Sequence, residues 1–164
     1  MLKMIIATDR NGAIGDKGEL PWDYLDSDLR YFKGQTEGDI VVMGRKTYES
    51  LPMYPDGLPN RDNLVLSKQD KISYVQDVHY YSVERLTCCL EDDWWSKDVW
   101  IIGGATIYEQ FKDIVDEVHW TYIDREYEAD TFMDMSFVNS LTFRRKSVTP
   151  LAEDIDVNVF ERIK

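Results

Sequence analysis

The hydrophobic residues of this chain fall in short, uninterrupted runs rather than in alternating patterns. Such runs occur at 4–7, 40–43, 64–66 and 99–102. Continuous apolar strands are typical of a parallel sheet that helices cover on both faces. Two later segments, 118–123 and 157–160, alternate more regularly. They predict strands near an edge of the sheet, where antiparallel pairing is more common.

Helical spacing separates these predicted strands. Segments 28–33, 82–90 and 106–111 each carry apolar residues three or four positions apart. Ser82 precedes the second segment and can cap its first turn. Strands that alternate with helices predict an α/β fold.

Composition narrows the class of protein. The chain has 164 residues without a linker, which predicts a single domain over 1–164. Its 19 basic and 31 acidic residues give a net charge of −12, which argues against a nucleic-acid partner. No apolar run approaches the roughly 18 residues of a membrane span, so no membrane partner is expected. The short apolar start before Thr8 does not resemble a signal peptide.

Cysteine and histidine usage points the same way. Cys88 and Cys89 are neighbours, which disfavours a structural disulfide, and His79 and His119 stand alone. No metal-ligand spacing results. We therefore expect a cytoplasmic protein without a metal site.

Two similar turns suggest a place for a phosphate-bearing ligand. Segments 39–44 and 98–103 are both apolar strands that end in glycine, and a helical pattern follows each. Ligands bind at the carboxyl ends of strands in open α/β sheets, so the two turns could hold the two ends of a dinucleotide. Arg45 and Lys46 open the first helix and are either solvated surface residues or ligands of the 2′-phosphate of NADP. The G-x-G-x-x-G fingerprint is absent, which excludes an ordinary Rossmann domain.

Asp28 carries the second chemical signal. It shares a helix face with Phe32, so it is either an exposed acid of the first turn or a carboxylate in an apolar cleft. Asp26 and Ser27 are expected to cap the helix, which leaves Asp28 free. A carboxylate in a cleft can bind an amidine-like group through two hydrogen bonds and can transfer protons.

Taken in order, these motifs resemble the dihydrofolate reductase family over essentially the whole chain. The matching segments are Gly12-Ala-Ile-Gly15, Leu20-Pro-Trp22, Asp28-Leu29 with Phe32-Lys33, Val42-Met-Gly-Arg-Lys-Thr-Tyr-Glu-Ser50, Leu58-Pro-Asn-Arg61, Asn63-Leu-Val-Leu-Ser67, Ile101-Ile-Gly-Gly-Ala-Thr-Ile-Tyr108, Thr121 and Asp130-Thr-Phe132.

The resemblance implies a three-layer αβα fold. Its central sheet would be eight-stranded and mostly parallel, with an antiparallel C-terminal edge strand and helices on both faces. The implied reaction is NADPH-dependent reduction of 7,8-dihydrofolate to tetrahydrofolate, with hydride to pterin C6 and a proton to N5. This reaction supports one-carbon metabolism. The implied partners are dihydrofolate and antifolate-like inhibitors, and the protein is expected to be a monomer.

The resemblance also implies roles for single residues at the substrate end. Asp28 would bind the pterin 2-amino group and N3, and Thr121 would join its hydrogen-bond network. Arg61 would clamp the glutamate α-carboxylate. The catalytic centre would further include Tyr108, Leu20 and Trp22. The substrate rings would be lined by Ile6, Ala7, Leu29, Phe32, Leu51, Leu58, Ile102 and Tyr108.

A second implied set would hold NADPH. The nicotinamide would lie against Ala7, Ile14, Gly15, Leu20, Ile102 and Tyr108. The adenosine phosphates would contact Gly44, Arg45, Lys46, Thr47, Leu66, Ser67 and Lys68. The pyrophosphate would lie on Gly103, Gly104, Ala105, Thr106 and Ile107.

Several departures from the family pattern leave alternatives open. Six positions separate Trp22 from Asp28, one more than in many bacterial members, which makes Asp26 the rival carboxylate. Asn60 stands where a glycine is usual. The Tyr54–Gly57 insertion either leans over the substrate or only lengthens a loop. Trp94 and Trp95 are predicted to pack beneath the strand at Val99, or else to form an interface patch.

Two other functions also fit this sequence pattern. A related NADPH-dependent reductase of riboflavin synthesis would share the fold, but Asp28 and Arg61 are the folate-specific groups. A cofactor- or pterin-binding protein that has lost catalysis would not need Asp28, Tyr108 and Thr121 together.

Overall fold

The computed structural model describes residues 1–68, 73–91 and 96–163. Trp94 and Trp95 lie outside the described residues. The strands are β1 (Leu2–Thr8), β2 (Ala13–Gly15), β3 (Ile40–Gly44), β4 (Asp62–Leu66), β5 (Val78–Tyr81), β6 (Val99–Gly103), β7 (Glu117–Ile123), β8 (Thr131–Phe132), β9 (Phe143–Ala152) and β10 (Ile155–Arg162). The helices are α1 (Asp26–Thr36), α2 (Arg45–Glu49), α3 (Val83–Glu91) and α4 (Ala105–Phe111), with a 3-10 turn at Met135–Asn139.

Eight strands form one sheet in the order β5-β4-β3-β6-β1-β7-β10-β9. The six strands from β5 to β7 are parallel, whereas β10 runs antiparallel to both of its neighbours. The predicted antiparallel C-terminal strand is therefore confirmed, and β9 occupies the edge itself. Because β3 and β6 are neighbours, the two glycine turns that follow them lie side by side.

Side chains alternate between the two faces of this sheet, as strand geometry requires. Met4 and Ile6 join the larger core cluster, which also contains residues of α3 and α4. Ile5 joins a second cluster with Trp100, against which Phe32 of α1 packs. Helices thus cover both faces, and the three-layer prediction is confirmed.

The start of α1 differs from the prediction. Leu25 is its N-cap residue, and no side chain caps the helix. Asp26 instead pairs with Arg30 on the exposed side of the helix and accepts a hydrogen bond from Tyr24. Acids in a first turn still favour the helix through its dipole. The predicted cap at Asp26 or Ser27 is therefore wrong, because the chain enters the helix in an extended conformation at a hydrophobic residue.

The long loop between β1 and α1 is more ordered than its glycines suggested. Its β2 pairs with β8 in a separate two-stranded sheet. The buried Asp9 carboxylate accepts hydrogen bonds from the backbone amides of Asn11, Ala13 and Tyr127 at 2.8–2.9 Å. These bonds tie the start of the loop to the segment between β7 and β8.

Candidate active site

Asp28 lies half-buried at the start of α1, facing the sheet rather than solvent. Thr121 of β7 hydrogen-bonds its carboxylate, and Thr121 is itself buried. Burial raises the pKa of Asp28 above its usual value, and the bond from Thr121 partly opposes this shift. Of the two rival carboxylates, Asp28 therefore occupies the apolar cleft, whereas Asp26 faces solvent.

Tyr108 lies close to this carboxylate. It is buried on α4, and its hydroxyl donates to the backbone carbonyl of Ile5 at 2.9 Å. Burial, and secondarily the charge of Asp28, raises the pKa of Tyr108, which keeps it a neutral phenol. Asp28, Thr121 and Tyr108 come from α1, β7 and α4, so the fold brings together three residues that are distant in sequence.

An apolar wall stands beside these polar groups. Phe32, Leu51, Leu58 and Ile102 pack partly exposed against the cluster that contains Ile5. Leu29, by contrast, is 37% exposed and does not belong to that cluster.

Ile6 requires a correction. Its side chain belongs to the core on the opposite face of the sheet, whereas Ile5 faces Phe32. Ile5 thus replaces Ile6 as the wall residue of β1. Strand alternation was the signal that could have found it, since Ile5 and Ala7 point the same way.

Arg61 lies at the far end of the apolar wall. Its guanidinium is buried and donates to the Thr36 hydroxyl at 2.8 Å and to the carbonyls of Pro59 and Lys33. It also lies over the ring of Phe32, at 5.7 Å from the ring centre. A guanidinium has five N–H donors, so these three bonds leave one on each terminal nitrogen. That pair suffices for a forked contact with a carboxylate.

The loop that precedes Arg61 contains two of the departures from the family pattern, Asn60 and the Tyr54–Gly57 insertion. Asn60 adopts the left-handed region with φ of 59°, which asparagine tolerates and which explains a glycine preference there. In the Tyr54–Gly57 insertion, the Tyr54 ring packs edge-on against Tyr48 at 5.1 Å, and the Tyr48 hydroxyl donates to the carbonyl of Pro55. The insertion is therefore fastened to α2.

The two glycine turns form a narrow cradle. A Cβ on Gly44 would lie 3.2 Å from Ile107, and one on Gly104 would lie 3.3 Å from the Thr47 hydroxyl. Glycine is therefore required in each turn, because the other turn lies too close to leave room for a side chain. Backbone without side chains lets a pyrophosphate approach its N–H groups closely.

Basic side chains surround the first turn. Arg45, Lys46 and Lys68 are all exposed, and Arg45 pairs with Glu49 one helical turn later at 3.3 Å. Ser67 and Thr47 are half-buried between them and the sheet. On the second turn, Ala105 is half-buried and Thr106 exposed at the start of α4.

The loop residues divide into two groups. Leu20 is 56% exposed, whereas Trp22 is buried against Ile123 and Ile155 and meets Tyr127 edge-on at 5.7 Å. Ala7 packs partly against that same cluster. Ile14 and Gly15 lie half-buried on β2. The structure therefore makes Trp22 the anchor of the loop and leaves Leu20 free to contact a ligand.

Comparison with known proteins agrees with this geometry. The family model described as "Dihydrofolate reductase" matches residues 1–159. The chain belongs to the dihydrofolate reductase family. It is 34% identical over 140 residues to dihydrofolate reductase type 8 of Escherichia coli, covering 82% of this chain and 81% of that one. It is 37% identical over 132 residues to dihydrofolate reductase HdrB of Haloferax volcanii, covering 78% and 68%.

A solved structure is similar throughout. The dihydrofolate reductase from Enterococcus faecalis complexed with NADP(H) and RAB-propyl superposes with a TM-score of 0.81 at 28% identity, covering 100% of this chain and 97% of that one. Family membership decides against the riboflavin-synthesis reductase. In the described residues of this dihydrofolate reductase, no helix is long and apolar enough to cross a membrane.

Proposed function

We propose that this dihydrofolate reductase binds 7,8-dihydrofolate in the cleft between α1 and the carboxyl ends of β1 and β7, and reduces it there with NADPH. The observation that carries the proposal is Asp28, an acid held against Thr121 in an apolar wall. The 2-amino group and N3 of a pterin match the two oxygens of a carboxylate. Phe32, Leu51 and Leu58 would enclose the rings, with Arg61 gripping the glutamate α-carboxylate.

Asp28 would also take part in proton transfer to the substrate. Its raised pKa brings its proton affinity closer to what transfer at neutral pH requires. We expect Asp28 to deliver a proton toward pterin N5 through water, while Tyr108 and Thr121 hold the surrounding hydrogen bonds. NADPH supplies the hydride that goes to C6. Leu20 would exclude water from the paired rings, with Trp22 holding its loop in place.

The cofactor assignment rests on the cradle and its charges. Gly44, Thr47, Ser67 and Leu66 would line the adenosine end, with Arg45, Lys46 and Lys68 about the 2′-phosphate. Gly103, Gly104, Ala105, Thr106 and Ile107 would take the pyrophosphate. Ala7, Ile14, Gly15 and Ile102 would contact the nicotinamide.

The deciding experiment replaces Asp28 by Asn and measures NADPH oxidation at 340 nm with dihydrofolate. We expect activity at neutral pH to fall at least about a hundredfold, the scale of a lost general acid or base. Part of the rate should return at low pH, where the substrate is already protonated. Asp26→Asn is the matched control and should stay close to wild type. An inactive Asp26→Asn beside an active Asp28→Asn would refute the assignment.

Further features fit a cytoplasmic monomer that binds antifolate-like inhibitors in the same cleft. Cys88 and Cys89 are not joined in a disulfide, which suits a reducing compartment. The exposed edge strand β9 carries Arg144, Arg145 and Pro150, and charged residues and proline disfavour pairing with another chain.

A further inference from the structure

Helix α1 carries Asp28 but buries little apolar surface. Thr36 is its only fully buried residue, and Tyr31 and Phe32 are only partly buried. Polar contacts hold the helix instead, at three places along its length. Asp28 bonds Thr121 at the start, Tyr31 bonds His119 one turn later, and Thr36 bonds Arg61 at the end. Since Thr121 and His119 share one face of β7, the first two contacts are consecutive rungs between the same helix and strand.

The middle rung continues into a chain of hydrogen bonds. The Tyr31 hydroxyl lies 2.6 Å from His119 Nδ1, and His119 Nε2 lies 2.7 Å from Glu117 Oε1. Lys146 of β9 donates to the other Glu117 oxygen at 2.9 Å. The His119 ring is also fixed edge-on against Trp100 at 4.9 Å. His119 and Glu117 are both buried.

The protonation states of these side chains determine which atom donates in each of their hydrogen bonds. Burial lowers the pKa of His119, although the Glu117 carboxylate opposes the shift. Burial acts to raise the pKa of Glu117, but the bonds from His119 and Lys146 overcome it and keep the pKa low. Burial also raises the pKa of Tyr31 to about 12. A neutral His119 therefore donates from Nε2 to Glu117 and accepts at Nδ1 from Tyr31.

The charged groups that act on His119 and Tyr31 come from four elements. Glu117 lies on β7, Lys3 on β1 and Lys146 on β9, while Asp28 acts on Tyr31 from α1. Lys3 lies 3.6 Å from Glu117 and also pairs with Asp98. Tyr31 is the member of this polar chain that lies on α1, so the Tyr31–His119 bond joins the chain to the helix.

We propose that Tyr31, His119 and Glu117 are positioning residues for the reduction, which lock α1 onto β7 so that Asp28 stays against Thr121. The proposal rests on the function proposed above. It predicts that breaking the Tyr31–His119 bond slows hydride transfer without weakening cofactor binding. Small misplacements of a catalytic group can cost up to about a hundredfold in rate.

The test compares three variants by single-turnover hydride transfer. Tyr31→Phe and His119→Phe each remove the bond and keep a ring in place, and each should lower the rate by at least about fivefold with the Kd for NADPH unchanged. His119→Gln keeps an acceptor for Tyr31 and a donor for Glu117, so it should retain most of the rate. The double variant Tyr31→Phe/His119→Phe should be no slower than His119→Phe alone, because the Tyr31–His119 bond is already absent in that single variant. Tyr122→Phe loses a hydroxyl from the opposite face of β7 and is the matched control.

The pH profile separates positioning from simple stabilisation. The Thr121 bond lowers the pKa of Asp28, so a loosened α1 should raise the apparent pKa of the rate profile. His119→Gln should leave that apparent pKa near the wild-type value. A lower melting temperature with an unchanged rate and profile would overturn the proposal, as would equal losses in His119→Phe and His119→Gln. Asp28→Asn in the same assay keeps the two proposals apart, because its activity tests the catalytic site alone.

Discussion

At the scale of single residues, Asp28 shows how function and stability conflict. An ionised carboxylate loses hydration when it lies in a cleft, and a single bond from Thr121 compensates only in part. The same burial that would prepare the group for the proposed proton transfer therefore destabilises the folded protein at neutral pH.

This conflict predicts that Asp28→Asn is more stable than wild type at pH 7. The pKa of Asp28 is higher in the folded state than its ordinary value of 3.8, so the folded protein holds this proton more tightly than the unfolded chain. The stability contributed by the proton is present at low pH and is lost as pH rises through the folded-state pKa. We expect the melting temperature of the variant to exceed that of wild type by a few degrees at pH 7 (~2–5 °C) and to approach it near pH 3. Asp26→Asn should show no such gain, and an equal gain there would contradict the explanation.

At this scale the sequence is informative where local pattern determines the environment of a side chain. Asp28, with an apolar residue four positions later, lies against Thr121, whereas Asp26 is exposed. Ile5 was missed in favour of Ile6 because a wholly apolar strand hides its own alternation. Tyr31 and His119 were not identified from the sequence, because they are 88 positions apart and no local motif indicates that they pair.

At the scale of elements, Arg61 joins the end of α1 to the loop before β4. It contacts Thr36, Lys33 and Pro59, so it braces the fold as well as facing the proposed substrate tail. A substitution there must separate two effects.

Arg61→Lys should raise the KM for dihydrofolate at least about tenfold, because a lysine cannot make the forked contact with a carboxylate. The KM for NADPH should stay nearly unchanged. A dihydropterin without the glutamate tail should be reduced equally well by both proteins. Thr36→Val removes the partner of Arg61 Nε and reports the bracing alone. Equal impairment with the tailed and tailless substrates would remove Arg61 from the binding site.

The loop before α1 depends on one close backbone contact. Gly12 has φ of +83°, and a Cβ there would lie 2.6 Å from the Met133 carbonyl. Gly38 has a similar φ of +88° with no atom within 4 Å. Alanine at either position pays about 1–2 kcal/mol for the left-handed conformation, and at Gly12 the clash should add about 1–3 kcal/mol. Urea unfolding of both variants measures the difference in their free energies of unfolding, and equal losses at Gly12 and Gly38 would show that the chain at Met133 can move aside.

The elements themselves were predictable where they are buried. The apolar runs at 4–7, 40–43, 64–66 and 99–102 all became strands of the sheet. Strand β9 was not found, because nearly all of its residues are exposed and its sequence lacks an apolar face. Its position depends instead on the hairpin that it forms with β10 across the turn at Glu153 and Asp154, and no apolar pattern within β9 indicates that pairing.

At the scale of the whole molecule, an acidic protein must bind an anionic cofactor and substrate. The net charge of −12 repels both at long range. Arg45 and Lys46 act only locally, beside the proposed phosphate site. Their effect and that of the net charge therefore differ in range, and added salt distinguishes them.

The last prediction uses this difference in range. The double variant Arg45→Gln/Lys46→Gln should bind NADPH far more weakly, with a smaller loss for NADH, which lacks the 2′-phosphate. Each charge-assisted contact is worth about 1.5–3 kcal/mol. The Debye length shrinks from about 30 Å at 0.01 M salt to about 8 Å at 0.15 M. In the double variant, added salt should speed NADPH association more than it does in wild type, because the repulsion by the net charge is less offset when only Lys68 is left near the 2′-phosphate. Arg144→Gln/Arg145→Gln removes equal charge on the edge strand β9 and should stay close to the wild-type salt dependence. Stopped-flow association rates measure all three proteins, and the same salt dependence in the two double variants would show that Arg45 and Lys46 do not form the phosphate site.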